Sequence, residues 1–323
     1  MKEFVISVDL GGTNILTAAI DGQNNILERD KTATNMKDGG EGVVKSIVNS
    51  IELLVKNNNL EEKNIKGICL GIPGIINPFE GIIYNAPNLG LKNYNIKDVF
   101  KKHLDLPLYL ANDVNLGALG IKRKEYNNEV KNMLVMFIGT GIGAALILDG
   151  RLYRGSTFFA GEVGHMMLSV KKDRSAKGNI SFENFASRTA LVKRITDDIK
   201  DGRKSILSKL VAEGKRIKSK ALANALREGD KVVVEHISNA CEVTGNMLGN
   251  IQTLINFDTI VLGGGVIEAM GDFMLPKIEE AFHNYVFDAT GNNVKIVATS
   301  IGDDAPLYGG WEVVNEGYEL NIK

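Results

Sequence analysis

The chain has 323 residues, enough to bury a large core, and this length favours two lobes over one. Its 38 basic and 39 acidic residues leave a net charge of −1, which gives no electrostatic basis for binding nucleic acid or an anionic membrane surface. The two cysteines are far apart in the sequence, so neither a disulfide framework nor a cysteine zinc site is indicated, and a cytoplasmic location is expected. No secretion signal is predicted, because an apolar strand begins a few residues after Met1.

The first third of the chain alternates strand and helix patterns. Two short β-branched runs, at residues 4–8 and 15–20, predict a hairpin around a glycine turn. Apolar residues at helical spacing over 42–55 then predict a helix. Buried strands are predicted at 67–72 and at 106–110, and the second of these runs directly into Ala111-Asn112-Asp113.

The middle of the chain repeats the opening pattern. A strand at 133–138, a glycine turn and a return strand at 144–148 correspond to the predicted hairpin at the N-terminus. Long helices are predicted at 183–199 and 232–255, and the charged stretch between them is interpreted as helical surface. Strands at 259–262 and 294–298 precede a final helix near residue 304. Strands that alternate with helices indicate an α/β class with a mixed sheet in each lobe.

The first motif is Asp9-Leu10-Gly11-Gly12-Thr13-Asn14, here called the first glycine loop. Its glycines let backbone N–H groups approach phosphate oxygens, and Thr13 adds a hydroxyl donor. Asp9, at a strand end, could hold Mg²⁺ directly or through water. On this spacing alone, a plain hairpin turn with a capping aspartate is equally consistent.

The second motif, Gly139-Thr140-Gly141-Ile142-Gly143, is here called the second glycine loop. It resembles a dinucleotide-binding fingerprint, but that fingerprint requires a helix after the glycines. The residues that follow, 144–150, have the pattern of a strand and a turn, so a Rossmann dehydrogenase is disfavoured. Two glycine loops facing each other would instead hold a triphosphate from both sides.

Two further groups carry polar side chains. Asn112-Asp113 ends a strand, and Asp113 is either a helix N-cap or the base that accepts the proton of an attacking hydroxyl in phosphoryl transfer. Glu162, His165 and Glu183 combine carboxylates with an imidazole, which suits the hydroxyl groups of a sugar ring. Glu162 and His165 would equally suit a surface loop.

Taken in order, these motifs resemble the ROK family of sugar kinases and repressors, within the actin and hexokinase ATPase superfamily. The resemblance covers nearly the whole chain and rests on the order and spacing of motifs that are weak alone. The motifs are Asp9-Leu10-Gly11-Gly12-Thr13, Gly71-Ile72-Pro73-Gly74, Ala86-Pro87-Asn88-Leu89, Asn112-Asp113, Gly139-Thr140-Gly141-Ile142-Gly143, Gly161-Glu162-Val163-Gly164-His165, Glu183-Asn184-Phe185-Ala186-Ser187, Leu262-Gly263-Gly264-Gly265-Val266 and Asp304-Ala305.

The resemblance implies a two-lobed actin-like (ribonuclease H-like) ATPase fold, which is an α/β fold with a cleft between its lobes. We expect an N-terminal lobe of residues 1–112 joined by a C-terminal helix at about 302–323, and a C-terminal lobe of residues 113–301. A homodimer is also expected, because the family is commonly dimeric.

The resemblance further implies roles for individual residues. Asp113 would be the general base of a kinase whose substrates are MgATP and a sugar. The sugar would be bound by Gly74, Asn88, Asn112, Glu162, His165 and Glu183. ATP would be bound by Asp9, Gly11, Gly12, Thr13, Asn14, Thr140, Gly141, Gly264 and Gly265, with Mg²⁺ near Asp9.

At one place the chain departs from the family. Members usually carry a cysteine-rich run that binds structural zinc between the histidine and the second glutamate, whereas residues 166–182 contain no cysteine. Because His165 alone cannot supply four zinc ligands, we expect no zinc. Another group must then orient the His165 ring, and Ser169, Asp173 and Ser181 are the candidates.

The predicted reaction is transfer of phosphate from ATP to the 6-hydroxyl of a hexose or N-acetylhexosamine. Overall resemblance favours N-acetylmannosamine as the acceptor, with glucose as the alternative. A DNA-binding repressor is a second class, but the first glycine loop begins at Asp9, so no helix-turn-helix domain is expected before it. A non-enzymatic, chaperone-like ATPase would leave Glu162, His165 and Glu183 without a role.

Overall fold

The computed structural model describes residues 3–168, 180–291 and 293–315. In this part of the chain, no helix is both long and apolar enough to cross a membrane. The strands are β1 (Phe4–Leu10), β2 (Asn14–Asp21), β3 (Ile26–Ala33), β4 (Ile65–Ile72), β5 (Ile75–Asn77), β6 (Ile82–Ala86), β7 (Leu91–Asn95), β8 (Leu108–Asn112), β9 (Met133–Ile138), β10 (Ile142–Leu148), β11 (Arg151–Tyr153), β12 (Met167–Leu168), β13 (Ile180–Ser181), β14 (Thr259–Gly263) and β15 (Lys295–Ala298).

Helices separate several of these strands, and short 3-10 turns lie at Glu62–Asn64, Pro87–Leu89, Val163–His165 and Gly302–Asp304. The α-helices are α1 (Gly39–Asn57), α2 (Ile96–Phe100), α3 (Asp113–Tyr126), α4 (Glu183–Ala186), α5 (Arg188–Lys200), α6 (Ser208–Ala212), α7 (Ser219–Arg227), α8 (Lys231–Ile255), α9 (Ile267–Tyr285), α10 (Asp288–Gly291) and α11 (Ala305–Asn315).

The chain divides into two compact units. Unit 1 comprises Met1–Val130, Gly150–Ala160 and Asp303–Lys323, and unit 2 comprises Lys131–Asp149 and Gly161–Gly302. The sequence interpretation began the second lobe at residue 113, whereas the structure groups α3 with unit 1. The physical reason is that α3 continues directly from β8 and packs along α11, which in turn packs on β1 and β4.

The sheet of unit 1 has the strand order β3-β2-β1-β4-β8. Strand β2 is antiparallel to β1, whereas β4 and β8 run parallel to β1 in succession. The register pairs Asp9 with Gly71 and Ile72 with Asn112, so the carboxyl ends of β1, β4 and β8 meet at one edge of the sheet. That edge is where an open α/β sheet presents ligand-binding side chains.

Unit 2 contains a sheet in which β10, β9, β14 and β15 are neighbours in that order. Strand β10 is antiparallel to β9, and β14 and β15 are parallel to it in succession. These are the order and directions of β2, β1, β4 and β8 in unit 1. The strand and glycine-turn repeat in the sequence therefore corresponds to the hairpin that begins each sheet.

The core of each unit explains where its helices lie. In unit 1, α1 places Val43, Ile47, Ile51 and Leu54 on one buried face, as the helical spacing predicted. Burial of each such side chain stabilises the fold by about 1.5–3 kcal/mol. In unit 2, α8 and α9 pack together beneath the sheet strands.

Candidate active site

The first glycine loop connects β1 to β2 within unit 1. The Gly11 N–H donates a hydrogen bond to the Asn14 carbonyl at 2.9 Å, which closes the turn. The Thr34 hydroxyl donates to the Gly11 carbonyl at 2.7 Å, and the Thr34 N–H donates to the Thr13 carbonyl at 3.0 Å. Thr34, which sequence reasoning did not identify, therefore holds the loop backbone in place from the end of β3.

Gly12 lies in the same loop and packs closely against the 3-10 turn Pro87–Leu89. A Cβ atom on Gly12 would lie 2.5 Å from the Asn88 carbonyl oxygen, so no other residue fits without a backbone shift. A residue predicted to bind phosphate and a residue predicted to bind sugar are thus in direct contact.

Asp9 is the penultimate residue of β1 and lies near two other carboxylates. The pKa of Asp9 is raised from 3.8 to about 7, mainly by burial and additionally by the negative charges of Asp113 and Asp303. Asp303, in the 3-10 turn before α11, was missed from the sequence even though it stands beside the Asp304-Ala305 motif. The three carboxylates therefore create a negative potential that favours a cation at Asp9.

These side chains are suitable for Mg²⁺, which prefers carboxylate oxygens. Within the described ranges, no three or more His, Cys, Asp or Glu side chains form a cluster that could bind a metal ion. Mg²⁺ in phosphate-transfer enzymes is usually held by one or two carboxylates together with substrate phosphates and water.

Asn112 and Asp113 mark the change from β8 to α3. The Asn112 side-chain oxygen accepts the Asn115 N–H at 3.1 Å, so Asn112 is the N-cap and Asp113 is the first helical residue. The Asn112 amide nitrogen also donates to the Gly74 carbonyl at 3.1 Å. The Asp113 Oδ1 accepts the Val114 N–H at 2.9 Å. The structure therefore brings together three of the predicted residues, Gly74, Asn112 and Asp113. The N-cap of α3 is Asn112.

Glu183, the first residue of α4, contacts the second glycine loop in unit 2. Its Oε2 atom accepts the Ile142 N–H at 2.7 Å. The same oxygen occupies the position that a Cβ on Gly141 would need, so a larger residue there would displace the Glu183 carboxylate. A predicted sugar-binding carboxylate therefore supports the loop predicted to bind phosphate.

The N-terminus of α5 forms further contacts with this loop. The Arg188 N–H donates to the Gly139 carbonyl at 2.9 Å, and Arg188 Nη2 donates to the Thr140 hydroxyl at 2.5 Å. The Thr189 hydroxyl donates to the Thr140 carbonyl at 2.7 Å. Neither Arg188 nor Thr189 was identified from the sequence, although both follow directly after the Glu183–Ser187 motif.

Glu162 precedes the 3-10 turn Val163–His165, and His165 is the last residue of that turn. The Glu162 Oε2 and His165 Nε2 atoms are 3.7 Å apart, and the side chains are 54% and 75% exposed. Both are therefore accessible to a ligand. Of the groups suggested to orient His165, Ser169 and Asp173 lie outside the described residues.

Ser181 was the third of these groups, and the structure gives it another contact. Its hydroxyl oxygen accepts the Asn184 N–H at 3.3 Å at the beginning of α4. Strands β12 and β13 pair on either side of residues 169–179, and the Phe182 N–H donates to the Met166 carbonyl at 2.8 Å. Backbone pairing thus joins the two ends of the segment in which the family carries its zinc ligands.

Gly264 and Gly265 follow β14, next to β9. The Val266 N–H donates to the Ile138 carbonyl at 3.0 Å, so this turn lies beside the start of the second glycine loop. Ser219, at the start of α7, has its hydroxyl 3.8 Å from where a Cβ on Gly265 would be. The predicted ATP-binding residues of unit 2 are therefore neighbours at one end of its sheet.

The chain is similar to known proteins along nearly its whole length. The model of the ROK family matches residues 5–316. The glucokinase of Halalkalibacterium halodurans is 28% identical over 315 residues, which cover 96% of this chain and 94% of that protein. The xylose repressor of Caldicellulosiruptor bescii is 30% identical over 317 residues, which cover 94% of this chain and 76% of the repressor.

A solved structure extends the comparison to the fold. The ROK family glucokinase of Streptomyces griseus, in complex with glucose and AMPPNP, superposes with a TM-score of 0.79 at 24% identity. The match covers 97% of this chain and 100% of that one. The chain therefore has the two-lobed actin-like ATPase fold that was expected from its sequence.

Proposed function

Because the chain belongs to the ROK family, whose model matches residues 5–316, we propose that it transfers the γ-phosphate of ATP to the 6-hydroxyl of a hexose or N-acetylhexosamine. The observation that carries this proposal is the position of Asp113, at the carboxyl end of β8 and next to the capping residue Asn112. Because Asn112 caps α3, the Asp113 carboxylate is not needed for that purpose. Similarity to glucokinases supports the same enzyme class, an ATP-dependent sugar phosphotransferase.

In the proposed step, the sugar hydroxyl oxygen forms a bond to the γ-phosphorus as the bond from that phosphorus to the β,γ-bridging oxygen breaks. The hydroxyl proton passes to Asp113, and the bond electrons remain on the oxygen of ADP. Proton removal by a positioned base contributes about 10²- to 10⁴-fold to such reactions. The remaining residues bind the substrates and hold them in position.

We assign the sugar to the residues predicted from the sequence, which are Gly74, Asn88, Asn112, Glu162, His165 and Glu183. Two of them keep hydrogen-bonding capacity beyond their observed contacts. The Asn112 amide has a second N–H besides the one donated to Gly74, and the Glu183 carboxylate has a second oxygen besides the one bonded to Ile142. Each can therefore support the fold and bind a sugar hydroxyl.

ATP is assigned to the two glycine loops and to Gly264 and Gly265, with Mg²⁺ held at Asp9 directly or through water. The ion, when bound, would neutralise part of the charge on the phosphates. The protein's own contribution is a set of backbone N–H groups in tight glycine turns, fixed by Thr34 in unit 1 and by Glu183 in unit 2.

The identity of the sugar is the finer part of the proposal. The glucokinase relatives favour glucose as the first acceptor to test. N-acetylmannosamine, which the sequence interpretation preferred, is the second. Specificity would depend on residues 74–77 and 87–91, which lie beside Asn112 and the first glycine loop respectively.

A coupled assay of ADP release from the full chain at fixed MgATP would test the proposal. The panel would contain glucose, mannose, fructose, N-acetylglucosamine and N-acetylmannosamine, with Asp113→Asn as the inactive control. We expect release that depends on one of these sugars and is lost in the variant. ADP release that no sugar stimulates would contradict the proposal.

Similarity to a xylose repressor raises a second candidate, a sugar-responsive regulator without kinase activity. Such a protein would bind sugar without turnover, and Asp113→Asn would leave that binding unchanged. Calorimetric titration with the same sugars, combined with the release assay, distinguishes the two functions.

We also propose a homodimer. Three apolar side chains stand exposed where α8 and α9 end, namely Leu254 at 80%, Tyr285 at 47% and Phe287 at 61%. The Phe287 N–H donates to the Thr253 hydroxyl at 3.2 Å, so the two helix ends are adjacent. Exposed apolar groups of this kind favour association. Sedimentation analysis of the wild type and of Leu254→Asp would test the assignment.

A further inference from the structure

Arg188 lies at the point where α5 meets the second glycine loop. The Ser187 hydroxyl caps α5 by accepting the Ala190 N–H at 3.2 Å, which fixes the first helical turn. The backbone N–H of Arg188 is bonded to Gly139 and its guanidinium to Thr140. Backbone and side chain together therefore hold this guanidinium beside the loop.

The guanidinium has more donors than its observed contact uses. It carries five N–H groups, and the bond to the Thr140 hydroxyl uses one of them. Among the described residues, no carboxylate lies within ion-pairing distance of Arg188. The guanidinium thus contacts the neutral Thr140 hydroxyl and keeps N–H donors that can bind an anion.

A cavity of about 460 Å³ opens at this position within unit 2. Its volume is in the range of small-molecule sites. Four of its lining side chains are cationic and none is a carboxylate. The cationic lining residues are Arg188, Lys200, Lys215 and Arg216, and Thr140, Thr189 and Thr196 add hydroxyl groups.

The charge of this cavity complements that of the predicted ligand. Lys215 pairs with Glu213 at 2.8 Å, but the other three cations have no carboxylate partner among the described residues. The residues assigned to ATP from the sequence contain glycines, threonines, an asparagine and Asp9, but no lysine or arginine. A bound triphosphate carries several negative charges, and phosphoryl transfer requires that they be stabilised.

We propose that Arg188, at the edge of this cavity, binds the phosphate chain of the nucleotide donor. This inference rests on the proposed kinase function and assigns to the site a cationic side chain, which the residues predicted from the sequence do not include. Arg188 donates hydrogen bonds to phosphate oxygens, while Thr140 keeps its guanidinium in position. It is not chemically changed in the reaction, since the hydroxyl proton goes to Asp113.

Titration calorimetry of the full chain with MgADP, with Mg-AMPPNP and with adenosine would test the inference. We expect Arg188→Gln to weaken both phosphate-bearing ligands by about 10- to 100-fold, because a charge-assisted hydrogen bond is lost. Adenosine binding should change little. Arg188→Lys should be intermediate, because it keeps the charge but loses the planar fork. Lys193→Ala, an exposed cation on the same helix, is the matched control and should bind normally.

A purely structural role for Arg188 makes a different prediction. If the side chain served only to hold Thr140, then MgADP binding would be weakened equally by Arg188→Gln, by Thr140→Val and by the double variant. That result would overturn the inference, as would normal MgADP affinity in Arg188→Gln or a wild type that binds no nucleotide. A wild type that binds nucleotide but phosphorylates no sugar would contradict the proposed function and leave the role of Arg188 supported.

Discussion

The Glu183 carboxylate accepts the backbone N–H of Ile142 at 2.7 Å and packs directly against Gly141. A side chain that the sequence assigns to the sugar is therefore part of the support of a loop assigned to ATP. The proposed sugar site and the proposed nucleotide site therefore share the Glu183 carboxylate, so a change in one is expected to alter the other.

Replacement of Glu183 should separate these two roles. Glu183→Ala removes the acceptor for the Ile142 N–H and should raise KM for both sugar and ATP, by about 10-fold or more for each. Glu183→Gln retains a side-chain oxygen that can accept the same bond, so its KM for ATP should stay closer to normal. Steady-state kinetics with both substrates varied would measure this. If Glu183→Ala raised only the KM for sugar, the shared role would be wrong.

Asp113 and Asn112 should respond in opposite ways to substitution. Asp113→Asn should lower kcat by about 10²-fold or more while the Kd for MgADP stays unchanged and the free energy of unfolding does not fall, since loss of the charge relieves its repulsion with Asp9. Asn112→Ala removes the helix cap and should lower the free energy of unfolding by about 1 kcal/mol. Denaturant titrations and kinetics on both variants provide the comparison. A large loss of stability in Asp113→Asn would show that its carboxylate is structural.

The raised pKa of Asp9 predicts a pH dependence of stability. The pKa is 3.8 for the ordinary side chain and about 7 in the folded protein, so between these values the folded state holds an additional proton. The free energy of unfolding of the ligand-free protein should therefore fall as pH rises through this window. Asp9→Asn lacks this titrating carboxyl group. Its free energy of unfolding should therefore rise relative to that of the wild type as pH increases.

Urea titrations of both proteins from about pH 5 to about pH 8 would measure the difference. The exposed Asp105 provides the control, since Asp105→Asn should follow the wild-type curve. Asp303→Asn should reduce the effect in part, because it removes one of the two neighbouring charges. Parallel curves for the wild type and Asp9→Asn would mean that Asp9 titrates at its ordinary pKa.

The absence of cysteine from residues 166–182 predicts a protein that does not depend on zinc. Pairing of β12 with β13 and the bond from Phe182 to Met166 hold the segment's ends by backbone contacts, which a chelator cannot remove. Elemental analysis should find less than stoichiometric zinc, and EDTA should leave Tm unchanged. One zinc per chain, or a Tm that falls with chelation, would contradict this.

Local patterns in the sequence predict much of the fold. The hairpins β1–β2 and β9–β10, each with its glycine turn, follow from β-branched runs and turn residues that are adjacent in the chain. The helix α1 is predicted by apolar residues at helical spacing, which form its buried face. The small sheet of β5, β6 and β7 was not predicted, because its short strands mix polar and apolar residues without a clear alternation.

The contacts that complete the candidate site join residues distant in sequence. Thr34 supports Gly11, Asp303 acts on Asp9 and Arg188 binds Thr140 across separations of 23 residues or more. No periodicity or spacing encodes such pairs, since they arise only when the strands of each unit are assembled. The position of Asp113 could be predicted from its motif, whereas the identity of the N-cap as Asn112 required the hydrogen bond from Asn115.

The close packing of Gly12 on the Asn88 carbonyl restricts how this protein can be engineered. A designer who seeks a new sugar specificity would naturally vary residues 87–91, the turn that carries Asn88. Any displacement of that turn is transmitted to the first glycine loop, because no side chain lies between them to absorb it. Libraries directed at this turn should therefore be screened for ATP affinity as well as for sugar preference, and variants that preserve the backbone of Asn88 should be recovered most often.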